Sequence, residues 1–274
     1  MDNDNTVSNE AHEGDPFMQP TPSPEMLAAA RQLRHDFDVI QMENEAAIEE
    51  VLTKVSILRK EFMQMHRYNP IEHINSRVKS PASALKKAAR RGISPTPAGI
   101  RAGITDMAGV RITCSFIADT YRVLETLTSQ ADVKVLRVKD YIAHPKPNGY
   151  KSLHALIEIP IFLSTGPVPV TVELQVRTIA MDFWASLEHK IYYKYEGTVP
   201  AHLVENLTAA AQASEQLDEQ MEQLFAEVRG SQDTDPDNDQ APVDDGMLLQ
   251  LWNSAQAQSQ QVQSECEKDA RPEG

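Results

Sequence analysis

Along residues 24–69 the apolar positions recur at mostly three- and four-residue steps: Leu27, Leu33, Phe37, Ile40, Ile48, Val51, Val55, Leu58, Phe62 and Met65. That period marks one face of an α-helix. Pro24 and Glu25 suit its first turn, and Asn69-Pro70 stops it. A stripe of this kind faces either the core or a partner helix. The period then changes. Segments 110–116, 133–141, 153–159 and 168–176 are short, β-branched or alternating, and bounded by turn residues, which predicts four strands. Segments 83–91, 120–129 and 178–195 read as helices around them. From Pro200 a helical stripe returns through Leu203, Leu207, Ala211, Leu217, Met221, Leu224 and Val228. Interleaved helices and strands predict an α+β fold, a mixed β-sheet flanked by helices.

Outside these elements the pattern breaks down. Residues 1–23 and 230–274 are polar, acidic and without period, with a brief apolar island at 247–252. Both ends read as disordered tails. The expected organisation is an acidic tail (1–23), a helical segment (24–69), a mixed core (70–200), a helix (201–229) and a second acidic tail (230–274).

Charge sharpens this layout. The formal net charge is −14, which by itself argues against non-specific attraction to nucleic acid or acidic membranes. The acid is concentrated at the ends: six acidic and no basic residues in 1–30, and ten acidic against two basic in 230–274. Residues 77–101 invert the balance, with seven basic residues and no acid, and so offer a local anion site. Two cysteines, Cys114 in an apolar run and Cys266 in a polar tail, make a disulfide framework improbable and suit a reducing cytoplasm. No apolar stretch reaches the ~18 residues a membrane helix needs, no signal-peptide pattern opens the chain, and no zinc spacing occurs.

Four stretches carry candidate chemistry. In RVKSPASALKK (77–87), Ser83 as a helix cap would leave free backbone N–H groups beside the nearby cations to meet phosphate, with Ser83 and Lys87, four apart, on one face. The other reading is a solvated basic face. In DMAGVRI (106–112), Asp106 stands just before a strand, where a carboxylate either holds Mg²⁺ against phosphate oxygens or shapes a turn. In VELQVRT (172–178), alternation places Glu173, Gln175 and Arg177 on one face and Leu174 and Val176 on the other. These three polar side chains form either a wet edge or a working surface. If Glu173 faces Asp106, the pair makes a two-carboxylate metal site for phosphoryl chemistry. In KPNGYKSLH (146–154), a turn at Asn148-Gly149 presents Tyr150 as a flat ring beside Lys146 and His154. The plainer reading is a hairpin turn with a packed tyrosine.

Taken together and in this order, RVKSPASALKK, DMAGVRI, KDYIAHPKPNGYKSLH and VELQVRTIAMDFWASLEHKIYYKY resemble the synthetase domain of the RelA/SpoT family, which makes pppGpp and ppGpp. The resemblance spans about residues 70–200 and is nearest to the small alarmone synthetases, with one synthetase domain between helical ends. The 76 residues before Arg77 are too few for the family's hydrolase domain. The resemblance implies a nucleotidyltransferase-like fold that transfers pyrophosphate from ATP to the 3′-hydroxyl of GTP or GDP and releases AMP. It also implies roles. Arg77 and Arg111 would sandwich the adenine, while Lys79, Ser83 and Lys87 hold the phosphates of ATP. Asp106 would bind Mg²⁺, with Glu173 as second ligand and as the group that activates the acceptor hydroxyl. Tyr150 would stack on guanine, Lys146 and His154 would take the acceptor's phosphates, Gln175 would support Glu173, and Asp182 would lie near the guanine. A homotetramer is implied as well.

Two other readings remain open on the residues. One is a nucleotidyltransferase that uses the same carboxylates to transfer a nucleoside monophosphate. The other is a weakly active or inactive binding module for single-stranded RNA, held by the basic 77–101 segment, or for nucleotides. RNA binding is also compatible with catalysis, and separately an alarmone or RNA is a candidate regulator at a central cleft.

Overall fold

In the computed structural model, which describes residues 23–66, 68–194 and 200–232, Ser23 opens the chain's longest helix. Its hydroxyl accepts from the Met26 N–H at 3.1 Å, and Pro24 takes the first helical position, where a missing N–H costs nothing. Helix α1 (Pro24–His66) follows the stripe read from sequence, but its two ends serve differently. Phe37 and Ile40 are buried against α2 and α3, and Ile48, Val51, Val55, Leu58 and Phe62 are buried against the sheet. Leu27, Leu33 and Met65 stay exposed.

The sheet has five strands in the order β1-β2-β5-β4-β3: β1 (Ile71–Val78), β2 (Ala108–Cys114), β3 (Lys134–Asp140), β4 (Leu153–Leu163) and β5 (Gly166–Thr178). The β2–β5 pair is parallel and the other pairs are antiparallel. Four strands were expected, and β1 is the addition. Its sequence, IEHINSRV, puts seven of eight residues at half-buried or exposed edge positions, so it lacks the apolar alternation that reveals a strand. Pairing with β2 decides it. The connecting helices are α2 (Pro81–Arg91), α3 (Pro97–Gly103), α4 (Ile117–Thr128), α5 (Ile179–Lys194) and α6 (Ala201–Gln232). Seven-residue α3 was also not foreseen; Arg101 at its end pairs with Glu43 of α1 at 3.0 Å.

Strand pleating sorts the sheet into two faces. On one, Ile112, Val176 and Leu153 form a row across β2, β5 and β4, and Val110, Leu174 and Ala155 form the next. These residues are at most 1% exposed and make the main core with α1 and α4. On the other face, register aligns Asn75, Arg111, Gln175, His154 and Lys139 across all five strands. A parallel row holds Arg77, Gly109, Glu173, Leu156 and Arg137. The polar face read from β5 is therefore central to the sheet, and the edge-strand alternative is excluded.

The chain divides into two compact units at Glu219/Gln220. The described part of the second, 220–232, is the last stretch of α6. The expected tails at 1–23 and 230–274, including the island at 247–252, lie almost wholly outside the described residues, as does Tyr195 at the expected end of α5.

Candidate active site

The donor side of the polar face is assembled where β1 passes into α2. Val78 ends β1, and the Lys79 N–H donates to the Met107 carbonyl at 2.7 Å, which binds this crossing to the residue beside Asp106. Ser80, and not Ser83, is the helix cap. Its Oγ accepts from the Ser83 N–H at 3.3 Å, with Pro81 in the first turn, so α2 starts two residues before the expected boundary. The Ser83 N–H is thus already bonded, and its hydroxyl accepts from Ser80 at 2.9 Å. Ala84 and Ala88 bury one side of α2 against Phe37 and Ile40. Burial on that side turns Lys87 toward the sheet.

Asp106 receives both lysines on one oxygen: Lys87 Nζ at 2.5 Å and Lys79 Nζ at 3.2 Å from Oδ2. Its Oδ1 is buried with no hydrogen-bond partner. Burial pushes this carboxyl up, but the Lys87 hydrogen bond and the Lys79 charge outweigh that and hold it below the usual carboxylate range. Beside it opens a cleft of about 220 Å³ lined by Asn75, Ser76, Arg77, Asp106, Gly109, Val110, Arg111, Glu173 and Gln175. Three widely separated stretches, on β1, at the start of β2 and on β5, therefore share one wall.

The acceptor side lies across β5. In the turn before β4, the Gly149 N–H donates to the Lys146 carbonyl at 2.8 Å, and Gly149 adopts φ +85°, a conformation that disfavours any side chain. The turn delivers Tyr150, whose hydroxyl lies 2.7 Å from His154 Nε2. Lys146 Nζ stands 4.4 Å from the Tyr150 ring centroid, a cation–π contact. His154 Nδ1 is 3.7 Å from Glu173 Oε1, and Gln175 Nε2 donates to Glu173 Oε2 at 3.3 Å. His154 beside it pulls the Glu173 carboxyl below its ordinary range, against the opposing effect of burial. Asp182 on α5 bridges Arg111 at 3.3 Å and Arg177 at 3.2 Å. Burial and the neighbouring Arg177 press the Arg111 pKa down, although a guanidinium stays charged in any accessible range.

Of the residues selected from sequence, the structure gathers Arg77, Asp106, Arg111, Glu173 and Gln175 around the cleft. Lys79 and Lys87 join through Asp106, and His154 with Tyr150 and Lys146 through Glu173. Asp182 joins through Arg111. Ser83 alone stands apart, exposed on the first turn of α2. One side chain had been given no role: Arg177, 4% exposed, which bonds to Tyr150, Gln175 and Asp182 at once. The signal for it was present in sequence, because it continues the polar alternation of Glu173 and Gln175.

Residues 76–198 match the family model described as the region found in RelA / SpoT proteins. The chain is 49% identical over 182 residues to the GTP pyrophosphokinase YwaC of Bacillus subtilis, covering 66% of this chain and 87% of that one. The chain belongs to the RelA/SpoT family. Its fold is similar to the crystal structure of small alarmone synthetase 2 from Bacillus subtilis, with a TM-score of 0.64 and 45% identity over 70% of this chain and 99% of that one. It is also similar to small alarmone synthetase 1 of the same species bound to its product pppGpp: TM-score 0.62, 37% identity, 68% and 94% coverage. The RelA/SpoT match runs from the end of β1 to the residues beyond α5, so it contains both sides of the cleft. No described helix is long and apolar enough to cross a membrane.

Proposed function

We propose that this RelA/SpoT-family chain is a GTP pyrophosphokinase that transfers the β,γ-pyrophosphate of ATP to the 3′-hydroxyl of GTP or GDP. The observation that carries the reading is the placement of Glu173 on the central strand, between a basic, Asp106-containing donor side and a Tyr150/His154 acceptor side. The names of the similar Bacillus subtilis proteins support it.

In this reading Arg77 and Arg111 flank the adenine, and Lys79 and Lys87 leave Asp106 for the phosphates of ATP. Positioning of this kind supplies most of the catalysis in phosphoryl transfer. Guanine takes the Tyr150 face now covered by the Lys146 ammonium, which frees Lys146 for the acceptor's phosphates. Glu173, kept ionised, accepts the proton of the 3′-hydroxyl. The 3′-oxygen forms a bond to the β-phosphorus while the bond from that phosphorus to the α,β-bridging oxygen breaks, and AMP departs with the bridging oxygen.

The residues also fit a divalent cation. Asp106 Oδ1 is buried and unpartnered, and Glu173 lines the same cleft. No group of three His, Cys, Asp or Glu side chains that could hold a metal occurs among the described residues. Two carboxylates suit Mg²⁺, which commonly takes one or two from the protein and completes its shell with water and substrate phosphate. When bound it would neutralise charge on the phosphates. Exposed Ile179, Phe183 and Leu187, spaced by four on α5, support burial in a homo-oligomer, a tetramer by family resemblance. A cytoplasmic location suits substrates of this kind.

The test is incubation with ATP, GTP or GDP and Mg²⁺, with nucleotides resolved by anion exchange. AMP appearing together with a more highly charged guanosine nucleotide, and loss of both in Glu173→Gln with ATP binding retained, is the expected result. Pyrophosphate release with an adenylated product would overturn it, and full turnover by Glu173→Gln would remove the carboxylate's role.

A further inference from the structure

Arg177 is a buried cation that the reaction as written does not use. Its guanidinium makes three hydrogen bonds: Nη1 to Asp182 Oδ1 at 3.2 Å, Nη2 to Tyr150 Oη at 2.5 Å, and Nη2 to Gln175 Oε1 at 3.1 Å. It also lies 5.1 Å from the Tyr150 ring centroid. Two of these partners lead to one place. Tyr150 touches His154, whose other ring nitrogen faces Glu173 Oε1, and Gln175 touches Glu173 Oε2.

The sense of each bond follows from what arginine is. A guanidinium only donates. Tyr150 Oη must therefore accept from Arg177, which leaves the tyrosine's own proton free for His154 Nε2. A neutral His154 that accepts on Nε2 carries its proton on Nδ1, the nitrogen turned to Glu173. On the second arm, Gln175 must turn its amide oxygen to Arg177, so its NH₂ faces Glu173. Both arms then present N–H groups to the same carboxylate, one at each of its oxygens. Reversing either arm would set a lone pair against it.

We infer that Arg177 is a positioning residue. It is the donor-only origin of two polar chains, one hydrogen-bonded throughout through Gln175 and one that passes from Tyr150 to His154 and ends in the 3.7 Å His154–Glu173 contact. It thereby fixes the His154 tautomer and the Gln175 amide so that both hold Glu173 aimed at the acceptor hydroxyl, and it anchors the Tyr150 ring edge. The inference rests on the catalytic reading of Glu173 given above and adds a residue with no contact to substrate. Its effect falls chiefly on the acceptor half of the site, where Tyr150 and Gln175 lie; its third partner, Asp182, also pairs with Arg111, a contact that does not need Arg177.

Steady-state kinetics with ATP and GDP varied separately test it, beside wild type and Glu173→Gln, which judge the catalytic reading by themselves. Arg177→Met lowers kcat by about 10–100-fold, the usual effect of removing a residue that orients an active group. It raises the KM for GDP severalfold, leaves the KM for ATP within about twofold, and Arg177→Lys recovers part of the loss. Adding Tyr150→Phe to Arg177→Met brings little further loss, because the hydroxyl is already uncoupled. Equal rises in both KM values, or losses that multiply in the double variant, overturn the inference. If Arg177→Met does not fold by circular dichroism, Tyr150→Phe decides: it keeps the ring and cuts the chain to His154. A reduced kcat with an unchanged ATP KM supports the inference, and wild-type kinetics refute it. Calorimetric binding of GDP to the same folded variants, which requires no turnover, is expected to weaken severalfold, and unchanged GDP affinity in both refutes the anchoring of Tyr150.

Discussion

Gly149 is the residue at which the acceptor turn has least freedom, and Gly149→Ala tests whether that turn is clamped by α6. A methyl group at this position would meet Ala211 Cβ at 2.4 Å, and the backbone there has φ +85°. Carbon atoms pack at ~3.5–4.0 Å, so one of the two elements must move by over 1 Å. α6 is poorly placed to yield: Trp184 Nε1 donates to the Leu207 carbonyl at 2.9 Å, Thr178 Oγ1 donates to buried Asp218 at 2.7 Å, and Lys151 pairs with Glu215. The left-handed backbone costs a side chain roughly 1–2 kcal/mol, and overpacking adds roughly 1–3 kcal/mol. The single variant is therefore destabilised by about 2–5 kcal/mol, or about 4–20 °C in Tm for a chain of this size. Ala211→Gly removes the obstructing methyl at a helix cost of about 1 kcal/mol. In Gly149→Ala/Ala211→Gly only the backbone and helix costs remain, about 2–3 kcal/mol together. Thermal unfolding followed by circular dichroism across the four chains should show the double variant more stable than the sum of singles by about 1–3 kcal/mol. Strict additivity would show that Ala211 does not limit the turn. Gly149→Ala should also raise the KM for GDP, since Tyr150 is the next residue.

Other outcomes follow from the same geometry. Asp106→Asn leaves Lys79 and Lys87 facing each other without their carboxylate, and costs about 1–3 kcal/mol at neutral pH. Because the folded pKa of Asp106 lies below its unfolded value, its stabilisation is present above the ordinary aspartate range, near pH 4, and is lost as pH falls through the lower folded value. The wild-type advantage over Asp106→Asn in denaturant melts should shrink in that acid window, and a gap independent of pH would contradict the ion-pair account. Lys87→Met removes a charged hydrogen-bond donor from the proposed phosphate cradle, worth about 1.5–3 kcal/mol, so the ATP KM rises about 10–100-fold while the GDP KM changes little. Cys114 is fully buried and burial pushes its thiol pKa up. In a Cys266→Ser chain, thiol reagents should react only as fast as the protein unfolds, and prompt labelling of the native state would argue against this packing.

Much of the candidate site was legible because its parts are local. Lys79 and Lys87 sit in one basic run, Asp106 and Arg111 in one motif, and Glu173 and Gln175 on one alternating strand. Spacing alone places Lys87 on a helix face, Arg111, Glu173 and Gln175 on strand faces, and Lys79 and Asp106 at the ends of such elements. Ser80 as the cap of α2 was less visible, because RVKSPAS offers two serines and only backbone geometry separates them. β1 was invisible for a different reason. An edge strand buries little, so IEHINSRV carries almost no hydrophobic signature and owes its form to β2.

The sequence by itself determined the helix and strand periods, the basic segment between acidic ends, and which side chains could meet phosphate or activate a hydroxyl. These depend on neighbours within one turn or one pleat. Only the tertiary structure decided that β5 lies between β2 and β4, and so brings Arg77, Asp106 and Glu173 to one cleft and His154 to the far side of the same carboxylate. It alone connected Arg177 to Tyr150, 27 positions away, and set α6 against Gly149. Pairing order and register arise from burying the common apolar face of β2, β4 and β5, with Ile71 of β1, against α1 and α4, a free energy that no short window of the chain contains.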